Sequence, residues 1–226
     1  MKLIVDYANI DKIKELYEYF PIDGVTTNPS IIAREGKPPL ESLTKIREFI
    51  GDNGELHAQV ISNTAEGMVD EAHRMQKVLG NNTYIKIPTI REGLKAIKML
   101  KSEGANITAT AIYTAQQAYL AAKAGAHYAA VYVNRIDNLG ANGVKVAKDV
   151  HDIFKTNSFA TEVLAASFKN TQQVLELCEH GIGAATIAPD VIEGLLINNS
   201  VDMAVDAFTV EFEKLCGKGK TMKDCE

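Results

Sequence analysis

Eight short apolar runs with strand character recur along the chain, and a helical pattern follows each of them. They cover residues 2–6, 24–26, 56–61, 83–87, 106–110, 129–134, 159–165 and 184–187. Alternating strand and helix imply a parallel sheet with helices outside it. Eight such units in 226 residues imply an α/β fold of the (β/α)8 TIM-barrel type. A doubly wound open sheet is the alternative. The hydrophobic share of 46% supplies the core that a single domain of this size needs. Residues 1–216 read as the barrel with an extra C-terminal helix at 201–215, and 217–226 read as a polar tail. Val201, Ala204, Val205, Phe208 and Phe212 mark the apolar face of that helix. It has either its own barrel or a neighbouring subunit to pack on.

Local signals support the helices. Leu40, Leu43, Ile46 and Ile50 mark one buried face, and Met68, Ala72, Met75 and Leu79 mark another. Thr89 with Glu92, and Thr114 with Gln117, read as capping boxes. Gly104, Gly125 and Gly181 stand where helices are expected to stop.

Composition excludes several function classes. The net charge is -5 with mixed signs and no Lys/Arg block, which argues against a nucleic-acid or membrane surface. The apolar start, Met1 to Val5, is too short for a signal peptide or a membrane span. Cys178, Cys216 and Cys225 form no C-x-x-C pair, so reduced thiols in a cytoplasmic protein are expected. The five histidines are scattered without an H-x-x-x-H spacing, and no metal site is expected. Gly217-Lys218-Gly219-Lys220-Thr221 looks like the end of a phosphate loop. Lys214 stands where that motif requires a glycine. No Ser-His-Asp signature is present.

In a barrel, chemistry gathers at the C-terminal ends of the strands. Asp6 ends the first strand, and Thr26, Thr27 and Asn28 follow the second. Gln59 lies in the third, Lys86 in the fourth, and Thr108 and Thr110 end the fifth. Tyr132, Asn134 and Arg135 end the sixth, and Ser167 follows the seventh. Lys86 stands out, because a lysine in an apolar strand must shed water from its ammonium. Burial lowers a lysine pKa and leaves free amine, the form that attacks carbonyls. A lysine snorkelling to solvent beside Pro88 is the other reading. Each remaining residue also has a bland alternative. Asn9 after Asp6 reads as a helix cap, and Thr26-Thr27-Asn28-Pro29 as a turn. Gln59 fits a buried amide bonded to backbone, Tyr132 fits core packing, and Arg135 with Asp137 fits a surface ion pair.

Four segments carry a family resemblance. Val25-Thr26-Thr27-Asn28-Pro29-Ser30, Ile85-Lys86-Ile87-Pro88, Tyr132-Val133-Asn134-Arg135-Ile136-Asp137 and Leu164-Ala165-Ala166-Ser167-Phe168-Lys169 resemble the transaldolase family. The likeness is to its short branch, which holds fructose-6-phosphate aldolases and small transaldolases. It runs over almost the whole chain.

The resemblance implies a cofactor-free, metal-free class I aldol mechanism with Lys86 as the Schiff-base lysine. It implies Tyr132 as the acid/base group, acting through a water shared with Gln59 and Thr110. It further implies that Asp6 and Asn28, beside Thr26, orient the donor hydroxyls, and that Arg135 and Ser167 hold the substrate phosphate. Transaldolases of the family carry glutamate at the position of Gln59 and phenylalanine at that of Tyr132, so the aldolase reading is favoured over the transaldolase one. Ala130 keeps a small residue near the pocket, as the aldolases do. Tyr7 departs from the threonine common in relatives. A homo-oligomer, pentameric or decameric, also follows from the resemblance. The remaining class, a lapsed sugar-phosphate-binding barrel, would have lost Lys86 or Tyr132, and both are present.

Overall fold

The computed structural model describes residues 1–225. Its strands are β1 (Lys2–Asp6), β2 (Gly24–Thr26), β3 (Glu55–Gln59), β4 (Tyr84–Pro88), β5 (Ile107–Ile112), β6 (Tyr128–Tyr132), β7 (Glu162–Ala166) and β8 (Ala184–Ile187). Each pairs in parallel with the next, and β8 pairs back onto β1, closing the barrel. The α/β barrel is therefore the fold, and the open-sheet alternative falls.

Three strands have the predicted bounds, and the other five differ by one to three residues at an end. The largest slip is at 159–165. Phe159 precedes β7 and packs edge-on against Tyr119 and Phe154. Its apolarity reports loop packing rather than ladder pairing. The predicted end of the sixth strand is also corrected. Asn134 and Arg135 belong to a helical turn, α7 (Val133–Asp137), directly after β6.

The other helices of the barrel chain are α1 (Ile10–Tyr19), α2 (Pro29–Arg34), α3 (Pro39–Ile50), α4 (Ala65–Leu79), α5 (Arg91–Ser102), α6 (Ala115–Ala124), α8 (Gly143–Thr156), α9 (Thr171–His180) and α10 (Pro189–Gly194). Strands of a parallel barrel are buried on both faces, which explains their near-continuous apolar runs. Outward residues such as Val25, Ile85, Ile87 and Val131 join helix residues such as Ile13, Leu43, Met68 and Ile97 in one buried layer. Each large side chain of this kind is worth about 1.5–3 kcal/mol of burial. The predicted face of α4, from Met68 to Leu79, lies in that layer. A smaller cluster of Ile4, Tyr128, Ala130, Leu164 and Ala184 fills part of the barrel interior.

Thr114 and Gln117 form the predicted capping box. Thr89 and Glu92 do not, because Thr89 still belongs to the top of the ladder. Its backbone N–H and its hydroxyl both donate to the Thr110 carbonyl, and α5 starts after Ile90 without a side-chain cap. Glu92 accepts instead from the Ala65 N–H. The first turn of α5 sits so close to β4 that a Cβ at Gly93 would lie 1.9 Å from the Pro88 carbonyl oxygen.

The chain divides into two compact units, Met1–Ile192 and Glu193–Glu226. The second carries α11 (Asn199–Cys216), the predicted extra helix, capped by the Asn198 side chain. Val201, Val205 and Phe208 on its predicted apolar face are exposed. In the predicted tail, Thr221 and Asp224 cap a short 3-10 turn, Met222–Asp224; Glu226 lies outside the described residues. Among the described residues, no helix is long and apolar enough to cross a membrane.

Candidate active site

Lys86 is the centre of the site. It lies on β4 between Ile85 and Ile87, which face the helices, so alternation turns the lysine into the barrel. The residue is 4% exposed, which excludes the snorkelling reading. Its Nζ donates to the Thr27 carbonyl at 2.8 Å. Burial holds the amine below the usual lysine value; the Asp6 carboxylate opposes this and the Arg135 guanidinium adds to it. Among the described residues no carboxylate oxygen lies within 4.0 Å of the amine. A shift in this direction favours the free amine, the form that attacks carbonyls.

Its neighbours come from strands on both sides. Gln59 on β3 and Thr108 on β5 are its ladder partners. Thr110 Oγ1 lies 3.0 Å from Tyr132 Oη, so the hydroxyls at the ends of β5 and β6 are linked. Arg135, on the turn after β6, stacks over the Tyr132 ring at 4.6 Å. On the opposite wall Thr26 Oγ1 donates to Asp6 Oδ1 at 2.7 Å and lies 2.6 Å from Thr186 Oγ1. A hydroxyl has one proton to give, so Thr186 donates to Thr26 and a three-residue chain ends on the carboxylate.

Asp6, Asn28, Arg135 and Ser167 line one cleft of about 820 Å³, together with Tyr7 and Thr186. The Asn28 side-chain oxygen accepts from the Ile31 N–H as the cap of α2, which leaves its amide N–H groups for a ligand. Ser167 follows β7 with a φ of 63°, and its carbonyl accepts the Asn134 N–H at 2.7 Å. A left-handed conformation at a non-glycine residue costs about 1–2 kcal/mol and is the kind of strain that collects at functional sites. A second such residue, Ala111, has a φ of 58° where the β5–β6 register shifts, directly after Thr110. Gln59 is less committed. It lines, with Thr27 and Asn28, a more apolar groove of about 620 Å³ beside α4.

The arrangement therefore joins an amine, two linked hydroxyls, a carboxylate fed by hydroxyls and a guanidinium at one end of a barrel. Residues 3–223 match the Transaldolase/Fructose-6-phosphate aldolase family. The chain belongs to that family. Curated relatives match along nearly their full length. A probable transaldolase of Caldicellulosiruptor saccharolyticus is 41% identical over 95% of this chain and 98% of its own. A probable fructose-6-phosphate aldolase of Streptococcus pneumoniae is 41% identical over 92% and 95%. A probable transaldolase of Clostridioides difficile is 39% identical over 94% and 97%. Among solved structures, a designed cube-shaped, highly porous protein cage made by fusing symmetric oligomeric domains shares the fold, with a TM-score of 0.58 and 18% identity. That match covers 83% of this chain and 62% of the other.

Within this family member, sequence reasoning passed over several residues near the site. Arg34 and Lys169 add positive charge to the cleft, and Thr186 completes the hydroxyl chain. The alternation that turned Lys86 inward also points to Thr186, which sits in the run 184–187. Asp137 is not the partner of Arg135. It accepts from the Gly143 N–H and the Gln173 amide instead, anchoring the turn that carries Arg135. Among the described residues, no group of three or more His, Cys, Asp or Glu is arranged to hold a metal ion.

Proposed function

We propose that this protein is a class I aldolase that cleaves fructose 6-phosphate to dihydroxyacetone and glyceraldehyde 3-phosphate, reversibly. The observation that carries the reading is the buried, pKa-lowered amine of Lys86, on which the charges of Asp6 and Arg135 act, two residues that line one cleft with Ser167. Neutral Lys86 adds to the ketone carbon, and loss of water gives an iminium. A base takes the proton of the C4 hydroxyl, the C3–C4 bond breaks, and its electron pair moves into the iminium to form an enamine. Glyceraldehyde 3-phosphate departs. Protonation of the enamine carbon and addition of water then release dihydroxyacetone and regenerate the amine.

Tyr132, with its hydroxyl on Thr110, is assigned the acid/base role, acting with Gln59 through water. Asp6, Thr26 and Asn28 orient the donor hydroxyls. The Arg135 guanidinium and the Ser167 hydroxyl hold the phosphate, a pairing suited to a divalent anion. Gln59 and Tyr132 favour the aldolase over the transaldolase activity that two relatives carry in their names. A tyrosine proton source shortens the life of the enamine, so water completes the cycle before a second aldehyde arrives.

A homo-oligomer, pentamer or decamer, working in the cytoplasm is part of the proposal. The exposed Val201, Phe208 and Leu215 of α11 support an assembly. The deciding experiment is a coupled assay of glyceraldehyde 3-phosphate release from fructose 6-phosphate, with and without erythrose 4-phosphate. Release without acceptor is expected. Release only with acceptor assigns the protein to transfer instead.

A further inference from the structure

The end of β5 breaks its own alternation. Ile107, Ala109 and Ile112 belong to the buried layer between strands and helices, so the outward period of two slips by one residue after Ala109. The ladder takes the same step, with Ala109 opposite Ala129 and Ile112 opposite Val131. Ala111 lies in the slip with a φ of 58°, a left-handed conformation that alanine holds only where its surroundings impose it. A bulge of this kind re-aims the side chains that follow it. Under regular alternation Tyr113 would share the outward face of Ala109. After the slip it falls on the other face, where it meets Tyr132.

The contact between them is direct. The Tyr113 and Tyr132 rings lie with centroids 5.5 Å apart and planes at 81°, the edge-to-face geometry that aromatic pairs prefer. The Arg135 guanidinium covers the Tyr132 ring at 4.6 Å, and Thr110 Oγ1 meets the Tyr132 hydroxyl at 3.0 Å. The Tyr113 backbone is fixed in turn. Its N–H donates to Gln117 Oε1 at 2.9 Å, the oxygen that also accepts from the Thr114 N–H in the capping box of α6. Tyr113, Arg135, Asn138 and Leu139 line a cavity of about 360 Å³. A smaller side chain at position 113 would widen that space and free the Tyr132 ring to turn.

We propose that Tyr113 is a positioning residue for Tyr132, presented to it by the bulge at Ala111. When a phenol ring tilts, its oxygen swings through an arc. The Tyr113 ring blocks that swing, while Thr110 holds the oxygen itself. The hydroxyl then stays where it passes a proton through water to the enamine. Tyr113 therefore acts on turnover and on the fate of the enamine rather than on substrate affinity. The inference rests on Tyr132 being the acid/base group.

Tyr113→Phe keeps the ring; Tyr113→Leu removes it and keeps apolar bulk. The readouts are kcat and KM for dihydroxyacetone release from fructose 6-phosphate, and the share of transfer when erythrose 4-phosphate is present. Tyr113→Leu is expected to lower kcat about 3–10-fold, the scale of one edge-to-face ring pair, with KM within about twofold of the parent and a raised share of transfer. Tyr113→Phe should stay within about twofold of the parent on every readout, because the ring contact survives. Tyr113→Leu added to Tyr132→Phe should change nothing further, since a residue that acts through another is not additive with it. If Tyr113→Leu fails to fold, Tyr113→Met, a flexible apolar side chain for the same space, takes its place with the same expectations. Parent-like kcat in Tyr113→Leu, or Tyr113→Phe as slow as Tyr113→Leu, overturns the inference. So does the same loss repeated on top of Tyr132→Phe, or a raised KM at unchanged kcat, which would make Tyr113 a binding residue. If Tyr132→Phe alone leaves kcat and product ratio at parent values, the acid/base reading of Tyr132 falls and the inference with it.

Discussion

Replacing Lys86 by methionine should make the protein inactive and more stable. Methionine has similar length and suits the apolar surroundings of the lysine stem. Holding a polar amine in such a site costs about 1–3 kcal/mol. The single hydrogen bond to the Thr27 carbonyl returns about 1 kcal/mol. The difference favours Lys86→Met by about 1 kcal/mol where the amine is neutral in both folded and unfolded chains, or a rise of about 2–4 °C in Tm for a chain of this size.

The gain has a definite pH dependence. Burial lowers the folded-state pKa of Lys86 below the usual lysine value of 10.5, so the unfolded chain binds more protons between those two values. Stability of the parent therefore rises with pH through that window, while the variant lacks this contribution. The advantage of Lys86→Met is greatest at the acid end of the window and falls toward that neutral-amine value of about 1 kcal/mol as pH approaches 10.5. Urea unfolding at pH 6 and pH 9, together with a turnover assay, measures both effects. A variant less stable than the parent by the same margin at both pH values would refute the reasoning.

Tyr132→Phe should lower dihydroxyacetone release without acceptor and raise the share of transfer when erythrose 4-phosphate is present; product analysis checks it. Arg135→Ala should raise KM for fructose 6-phosphate about 10–100-fold, the worth of charge-assisted hydrogen bonds, with a smaller change for unphosphorylated acceptors; Arg135→Lys should recover only part of it, since the fork is lost. His57 stays neutral down to about 4 in the fold, whereas it protonates near 6.5 when unfolded. Stability is therefore lost as pH falls from 6.5 to 4, by about 3 kcal/mol from this group. His57→Phe should flatten that decline in denaturation curves and also narrow the lower window of Glu55, which runs from 4.5 to about 2 in the parent, because the bond to His57 is part of what holds that carboxyl down.

Short apolar runs alternating with helical faces of period 3.6 carried most of the fold, because strands buried on both faces read as continuous apolar runs and helices buried on one face repeat every turn. Boundaries slipped where apolar residues packed without pairing, as at Phe159, or where a motif competed with the ladder, as at Thr89. The polar residues at the strand ends were visible one by one, and the structure places Asp6, Asn28, Arg135 and Ser167 around one cleft. Inside the barrel His57 meets Thr108 Oγ1 and Glu55 Oε2, and this chain escaped notice for a physical reason. Its partners are 51 residues apart between His57 and Thr108, and only barrel closure brings them together. A signal existed all the same, since His57 and Thr108 stand two residues before Gln59 and Thr110 and share their inward face.

The central claim is that Lys86 forms a covalent imine with the substrate. Incubation with fructose 6-phosphate, reduction with borohydride and peptide mass mapping test it directly. The account predicts a dihydroxyacetone-derived adduct on Lys86, absent from Lys86→Met. An active enzyme with no adduct, or with the adduct on another lysine, would contradict it.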